Sequence, residues 1–173
     1  RRNRRERSPA GPPLSPARGV NPGRATAGIA TVILLAVSAI AEDARDYRFT
    51  EDWFSDNIPN WERVLEPYRG KKDVHYLEVG VFEGRATVWM VENILTHPSS
   101  QITGLDVFPG KLKERYLANL KASGFKGKTT TLVGFSQETL RDLPDECCDI
   151  IYIDGSHQAA HVLTDTVLAW RLL

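Results

Sequence analysis

Cysteine is nearly absent: the chain has 173 residues and only two cysteines, Cys147 and Cys148, which are neighbours. Adjacent cysteines make a poor disulfide and do not match the spacing of zinc ligands. The pair reads instead as two small residues at the start of a buried strand, and the redox compartment stays open. Net charge is absent too, with 22 basic and 22 acidic side chains. That balance is uneven along the chain. Residues 1–24 hold seven Arg and one Glu, a formal +6, so residues 25–173 carry −6. A basic arm precedes an acidic body that lacks the basic stripe a phosphate backbone needs, which argues against a nucleic-acid partner. Long apolar runs are also scarce. Ala25 to Ala41 is free of charge for 17 residues, the short limit for crossing a bilayer, and Ala, Thr and Gly dilute it.

The amino-terminal part has its own organisation. Residues 1–24 are rich in Arg, Pro, Gly and Ser, show no apolar period and read as a disordered tail. Val32 to Val37 form the apolar centre of the next segment, Ala39-Ile40-Ala41 has the form of a small-residue cleavage site, and Glu42-Asp43 follow. That is the layout of a secretory signal or a marginal anchor, which would place the protein in the secretory pathway or at a membrane through residues 25–41. An Arg-rich organelle transit segment, or an upstream extension of no functional meaning on a cytoplasmic protein, are the alternatives.

Residues 42–173 have the length of one domain. The body opens near Tyr47 with a turn-rich lead-in holding Trp53, Phe54 and Trp61, aromatics that cap the core or cover a ligand. A short helix is expected with Trp61, Val64 and Leu65 on one face. Strands and helices then alternate. Strands are expected at 74–79, 101–106, 129–133 and 149–154, the last an apolar run buried on both faces. Helices are expected at 85–96, 111–122, 136–143 with Ser136 as N-cap, and 159–173. Repeated β-α units imply an α/β fold with a doubly wound, mostly parallel sheet and ligands at the carboxyl ends of its strands. The apolar stripe of the last helix runs to Leu172-Leu173 with no strand after it, so the domain is expected to be cut short at its carboxyl end.

The chemistry lies at three acidic strand ends: Glu78, Asp106 and Asp154. After the first, Gly80 and Gly84 let the backbone approach a ligand, and the helix starting at Arg85 offers free N–H groups. The dinucleotide fingerprint wants a middle glycine, but this chain has Phe82 there. A bulky side chain would block a pyrophosphate, so the loop suits a ligand without phosphate, such as one bearing an amino acid. A nucleotide-dependent oxidoreductase is thereby disfavoured. Asp106 follows the glycine loop by about 20 residues, where an acid accepts both ribose hydroxyls. Phe135 can pack on an adenine, with Ser136 or Gln137 bonding its edge. Two of these acids have plainer alternatives: Glu78 as a helix-dipole partner, Asp106 as a turn former before Pro109-Gly110. Asp165 reads as a surface residue, and His161 as a wall residue or solvent-facing.

Leu77-Glu78-Val79-Gly80-Val81-Phe82-Glu83-Gly84, Gly104-Leu105-Asp106 and Tyr152-Ile153-Asp154-Gly155-Ser156-His157, in that order, resemble a class I S-adenosylmethionine-dependent methyltransferase with a Rossmann-like fold. The likeness covers residues 50–173 and is nearest to small-molecule O-methyltransferases with an acidic-Gly-Ser-His segment after strand four. It implies S-adenosylmethionine as cofactor and methyl transfer to a hydroxyl on a small molecule. It places Glu78, Gly80 and Gly84 along the methionine part, Asp106 at the ribose, and Ser136 and Gln137 near the adenine. It also implies Asp154 as a ligand for a metal such as Mg²⁺ or as a substrate-orienting group, and His157 as general base. Metal-using relatives supply further acidic ligands from a later strand that is missing here, so the implied metal rests on Asp154 alone. A non-catalytic remnant of the fold is the remaining alternative.

Overall fold

The computed structural model describes residues 45–173. The tail expected at 1–24 and the apolar segment expected at 25–41 lie outside the described residues. No helix among the described residues is long and apolar enough to cross a membrane.

Among the described residues four strands form one parallel sheet: β1 (His75–Val79), β2 (Gln101–Asp106), β3 (Lys128–Val133) and β4 (Ile150–Ile153). The order across the sheet is β3-β2-β1-β4, with Leu77 opposite both Thr103 and Ile151. The chain steps outward from β1 to β3 and then returns to the far side of β1. The carboxyl ends of β1 and β4 therefore flank the point where the winding reverses, and that crevice is where open α/β sheets bind ligands.

Among the described residues five α-helices accompany the strands: α1 (Ile58–Leu65), α2 (Arg85–Asn93), α3 (Leu112–Ala122), α4 (Ser136–Thr139) and α5 (Ala159–Trp170). Strand periodicity sorts the core into two halves. Tyr76 faces Met90, Val91 and Ile94 at α2 and Tyr116 and Leu120 on α3, with Ile102 between them. Leu77 and Val79 face the other way, toward Leu140, Leu168 and Leu172. Each fully buried aliphatic side chain contributes roughly 1.5–3 kcal/mol of transfer free energy, so both faces hold the sheet.

Several elements differ from expectation. Helix α2 stops at Asn93, and Ile94 and Leu95 both donate to the Met90 carbonyl as the helix unwinds. The element after β3 is one α-turn followed by a 3₁₀ turn at Leu140–Asp142. Val64 is exposed while Leu65 is buried, because only Trp61 and Leu65, one turn apart, face the core. Strand β4 is half-buried at all four positions, since β1 is the only described strand beside it. The apolar face expected to bury α5 points outward: Leu163, Val167 and Trp170 are exposed. Its buried positions are Asp165 and Ala169, followed by Leu172, spaced by four and three residues.

Candidate functional site

Gly80 leaves β1 with φ +87°, and a Cβ there would stand 2.4 Å from Gly155 Cα and 2.5 Å from the Asp154 carbonyl oxygen. A glycine is required because the exits of β1 and β4 pass backbone against backbone. The same approach lets the Asp154 N–H donate to the Val79 carbonyl at 2.8 Å. Gly84, at φ +81°, leaves room for the Tyr116 ring, whose Cδ2 would lie 2.7 Å from an added Cβ. Protein neighbours thus account for both glycines on the side where a Cβ would project.

Between them, Phe82 keeps the left-handed backbone of a glycine position, with φ +50°. Holding a bulky residue there costs roughly 1–3 kcal/mol. Two contacts offset it. The Phe82 N–H donates to Asp106 Oδ2 at 3.0 Å, and its ring lies 5.0 Å from that of Trp53. Trp53 is exposed, whereas Phe54 beside it is buried against Trp61 and Trp89. The lead-in aromatics therefore divide: Phe54 and Trp61 cap the core, and Trp53 lies on the glycine loop.

Glu78 sits beneath this loop, 1% exposed. Its Oε2 accepts from the hydroxyls of Tyr76 at 2.9 Å and Thr87 at 2.7 Å. Burial pushes its carboxyl up to about 8; the two hydroxyls pull the other way, and the charges of Asp154 and Asp106 add to the rise. Asp106 ends β2. Its Oδ1 takes the Phe108 N–H at 2.9 Å while Oδ2 holds Phe82, and each oxygen keeps a further lone pair. Exposed Val107, Val133 and Phe135 line the neighbouring ends of β2 and β3.

Past β4, His157 Nε2 lies 3.6 Å from Asp154 Oδ1, and the imidazole is 86% exposed. His161 is exposed as well, with Nδ1 2.9 Å from Ser156 Oγ. Among the described residues no three His, Cys, Asp or Glu side chains form a group able to hold a metal ion. Asp154 and His157 alone do not fit Mg²⁺, which wants several oxygen donors.

Three residues have roles that the sequence did not suggest. Glu83, 1% exposed, accepts from the Thr50 N–H at 2.5 Å and the Thr50 hydroxyl at 2.7 Å, and pairs with Arg115. Burial pushes its carboxyl up, but these donors outweigh it and hold the group below the usual carboxylate range. Asn119 bonds the Glu83 carbonyl and both backbone groups of Arg48. The lead-in is thereby strapped onto the glycine loop. Asp165 is fully buried rather than at the surface. It accepts the Ser136 hydroxyl at 2.9 Å, and Ser136 is the first residue of α4 rather than its cap, a position held by Phe135. The signal for Asp165 was its spacing from Ala169 and Leu172. A cavity of about 220 Å³ beside β4, lined by Trp61, Leu65, Tyr76 and Tyr152 among others, contains none of the expected site residues.

A family model described as "Methyltransferase domain" matches residues 77–173. No curated protein matches the chain significantly. Among solved structures, the precorrin-6y C5,15-methyltransferase of Geobacter metallireducens GS-15 is 20% identical with a TM-score of 0.55, covering 76% of this chain and 65% of that one. An O-methyltransferase from Bacillus cereus in complex with SAH is 18% identical with a TM-score of 0.54, covering 79% and 60%. An rRNA methylase from Streptococcus thermophilus is 10% identical with a TM-score of 0.50, covering 73% and 67%. This chain thus spans less than two thirds of the first two proteins, and at these identities the likeness concerns the fold. The fold is the Rossmann-like one of these methyltransferases, and with the family match reaching from the middle of β1 to Leu173, the chain belongs to the methyltransferase-domain family.

Proposed function

We propose that the chain binds S-adenosylmethionine across the carboxyl ends of β1, β2 and β3 and serves transfer of its methyl group to a hydroxyl oxygen of a small molecule. One observation carries the reading. Asp106 ends β2 in contact with the glycine loop, and exposed Val107, Val133 and Phe135 stand beside it. A carboxylate for two ribose hydroxyls and an apolar platform for a base thus occupy adjacent strand ends. Phe82 fills the place where a pyrophosphate would need glycine, which favours an adenosyl ligand without phosphate. Family membership and the likeness to the SAH-bound Bacillus cereus enzyme support the same ligand.

In the transfer, the acceptor oxygen forms a bond to the methyl carbon as the carbon–sulfur bond breaks. The electron pair goes to sulfur, and the sulfonium becomes a neutral thioether. The hydroxyl must give up its proton; in this reading His157 accepts it, and the contact of Asp154 with its imidazole supports that role by steadying the imidazolium. Alignment of oxygen and methyl supplies much of the remaining rate. The −6 carried by residues 25–173 favours a small acceptor over RNA. Residues 25–41 are proposed to direct the chain to the secretory pathway or hold it at a membrane.

Calorimetry of the full chain with S-adenosylhomocysteine tests the reading, with folding of each variant checked by circular dichroism. Wild type is expected to bind, and Asp106→Ala to lose at least about tenfold in affinity, the loss of charge-assisted hydrogen bonds. No heat with wild type ends the proposal. Equal heats remove Asp106 from the ribose.

A further inference from the structure

Asp165 is costly where it stands. It is fully buried on α5, its Oδ2 has one partner, the Ser136 hydroxyl at 2.9 Å, and its Oδ1 is buried with no partner among the described residues. A carboxylate so poorly compensated loses more hydration than it regains. Packing between α4 and α5 would be served better by an apolar side chain, so the cost points to what the carboxylate does to Ser136.

A serine hydroxyl has one proton and two lone pairs. Here the proton is committed to Asp165, so whatever else meets Ser136 Oγ meets lone pairs only. Ser136 opens α4, two residues past Gly134, whose N–H donates to the Asp106 carbonyl at 3.1 Å. It therefore stands next to the strand ends assigned above to ribose and base. We propose that Asp165 is a positioning residue that makes Ser136 an obligate hydrogen-bond acceptor, so that the site selects a 6-amino purine over a 6-oxo purine. This rests on the donor-site reading of the preceding subsection. The adenine amino group donates to Ser136 Oγ; a 6-oxo base sets its own lone pairs against those of Ser136, and its oxygen finds no donor there.

The test is the affinity ratio of S-adenosylhomocysteine to its 6-oxo counterpart, S-inosylhomocysteine, measured by calorimetry on the full chain. Wild type is expected to favour the adenosyl form by about 10- to 100-fold, the range for one unmatched polar pair. In Asp165→Asn the amide NH₂ turns toward Ser136, because the far position is buried and offers it no acceptor. The hydroxyl proton is then free to meet a 6-oxo group, and the ratio falls toward one because the inosyl form gains. Ser136→Ala, which removes the hydroxyl and with it the one partner of Asp165, is expected to lower the ratio because the adenosyl form weakens. A merely structural role would weaken both ligands together and leave the ratio alone. Equal binding of both ligands by wild type overturns the proposal, and that result does not depend on either variant folding. So does a wild-type ratio that both folded variants preserve. Wild type that binds neither ligand overturns the donor-site reading and this inference with it.

Discussion

Replacing Glu78 by Gln is expected to remove a loss of stability that the protein suffers in alkali. In the folded chain burial lifts this carboxyl from about 4.5 to about 8. Between those values the folded state keeps the proton and the unfolded state has released it. Folding therefore takes up a proton in this window, and stability falls as pH rises through it. Below about 4.5 both states are protonated and above about 8 both are ionised, so the contribution is flat on either side. The two values lie about three and a half pH units apart, and each is worth about 1.4 kcal/mol, which sets an upper limit near 5 kcal/mol. Relaxation around the ionised group brings the expected loss to about 3–5 kcal/mol, a large share of the roughly 5–15 kcal/mol that holds a typical domain together. Glutamine keeps a carbonyl oxygen for the Tyr76 and Thr87 hydroxyls but carries no proton to lose. Urea unfolding followed by circular dichroism at pH 5, 6, 7, 8 and 9 reads the effect. The stability of Glu78→Gln relative to wild type should grow by about 2–3.5 kcal/mol from pH 5 to 8, the part of that range falling in this interval, and level off above it. Parallel curves for the two proteins would refute the assignment, whatever the other titrating groups do.

The remaining expectations concern the strand exits. Gly80→Ala forces a Cβ to within 2.4 Å of Gly155 Cα at a φ of +87°, so it is expected to cost about 3 kcal/mol or more and lower the melting temperature by at least 5 °C; an unchanged melting temperature would show that the β1 and β4 exits can move apart. His157 is so exposed that His157→Ala should leave stability and S-adenosylhomocysteine affinity within about twofold, while methyl transfer to a phenolic acceptor, followed with radiolabelled donor, falls by about 100-fold or more. Retained transfer would remove His157 as the base.

The alternation of strands and helices was legible because it is a local property. Tyr76-Leu77-Glu78-Val79 shows the period of a strand, and Leu112, Tyr116 and Leu120 that of a helix. Distant partners were not legible. Gly80 announced itself as a glycine position, but its neighbour at Gly155 is 75 residues away. Asp165 looked like a surface acid because charge on an amphipathic helix usually faces water. Its burial follows from α5 turning Ala169 and Leu172 inward, which leaves Leu163 and Val167 outside. The same limit applied to Glu83, whose partners Thr50 and Arg115 lie 33 and 32 residues away on either side.

The strap across the glycine loop also constrains the order of events at the ribosome. Arg48 is among the first described residues to emerge, yet the Asn119 amide that fastens its backbone is synthesised 71 residues later. At about 5–20 residues per second the lead-in waits several seconds in the open before it can be tied down. Phe54 waits less long, because its partners Trp61 and Trp89 follow it by 7 and 35 residues, so the arrival of α3 is the step that closes the lead-in.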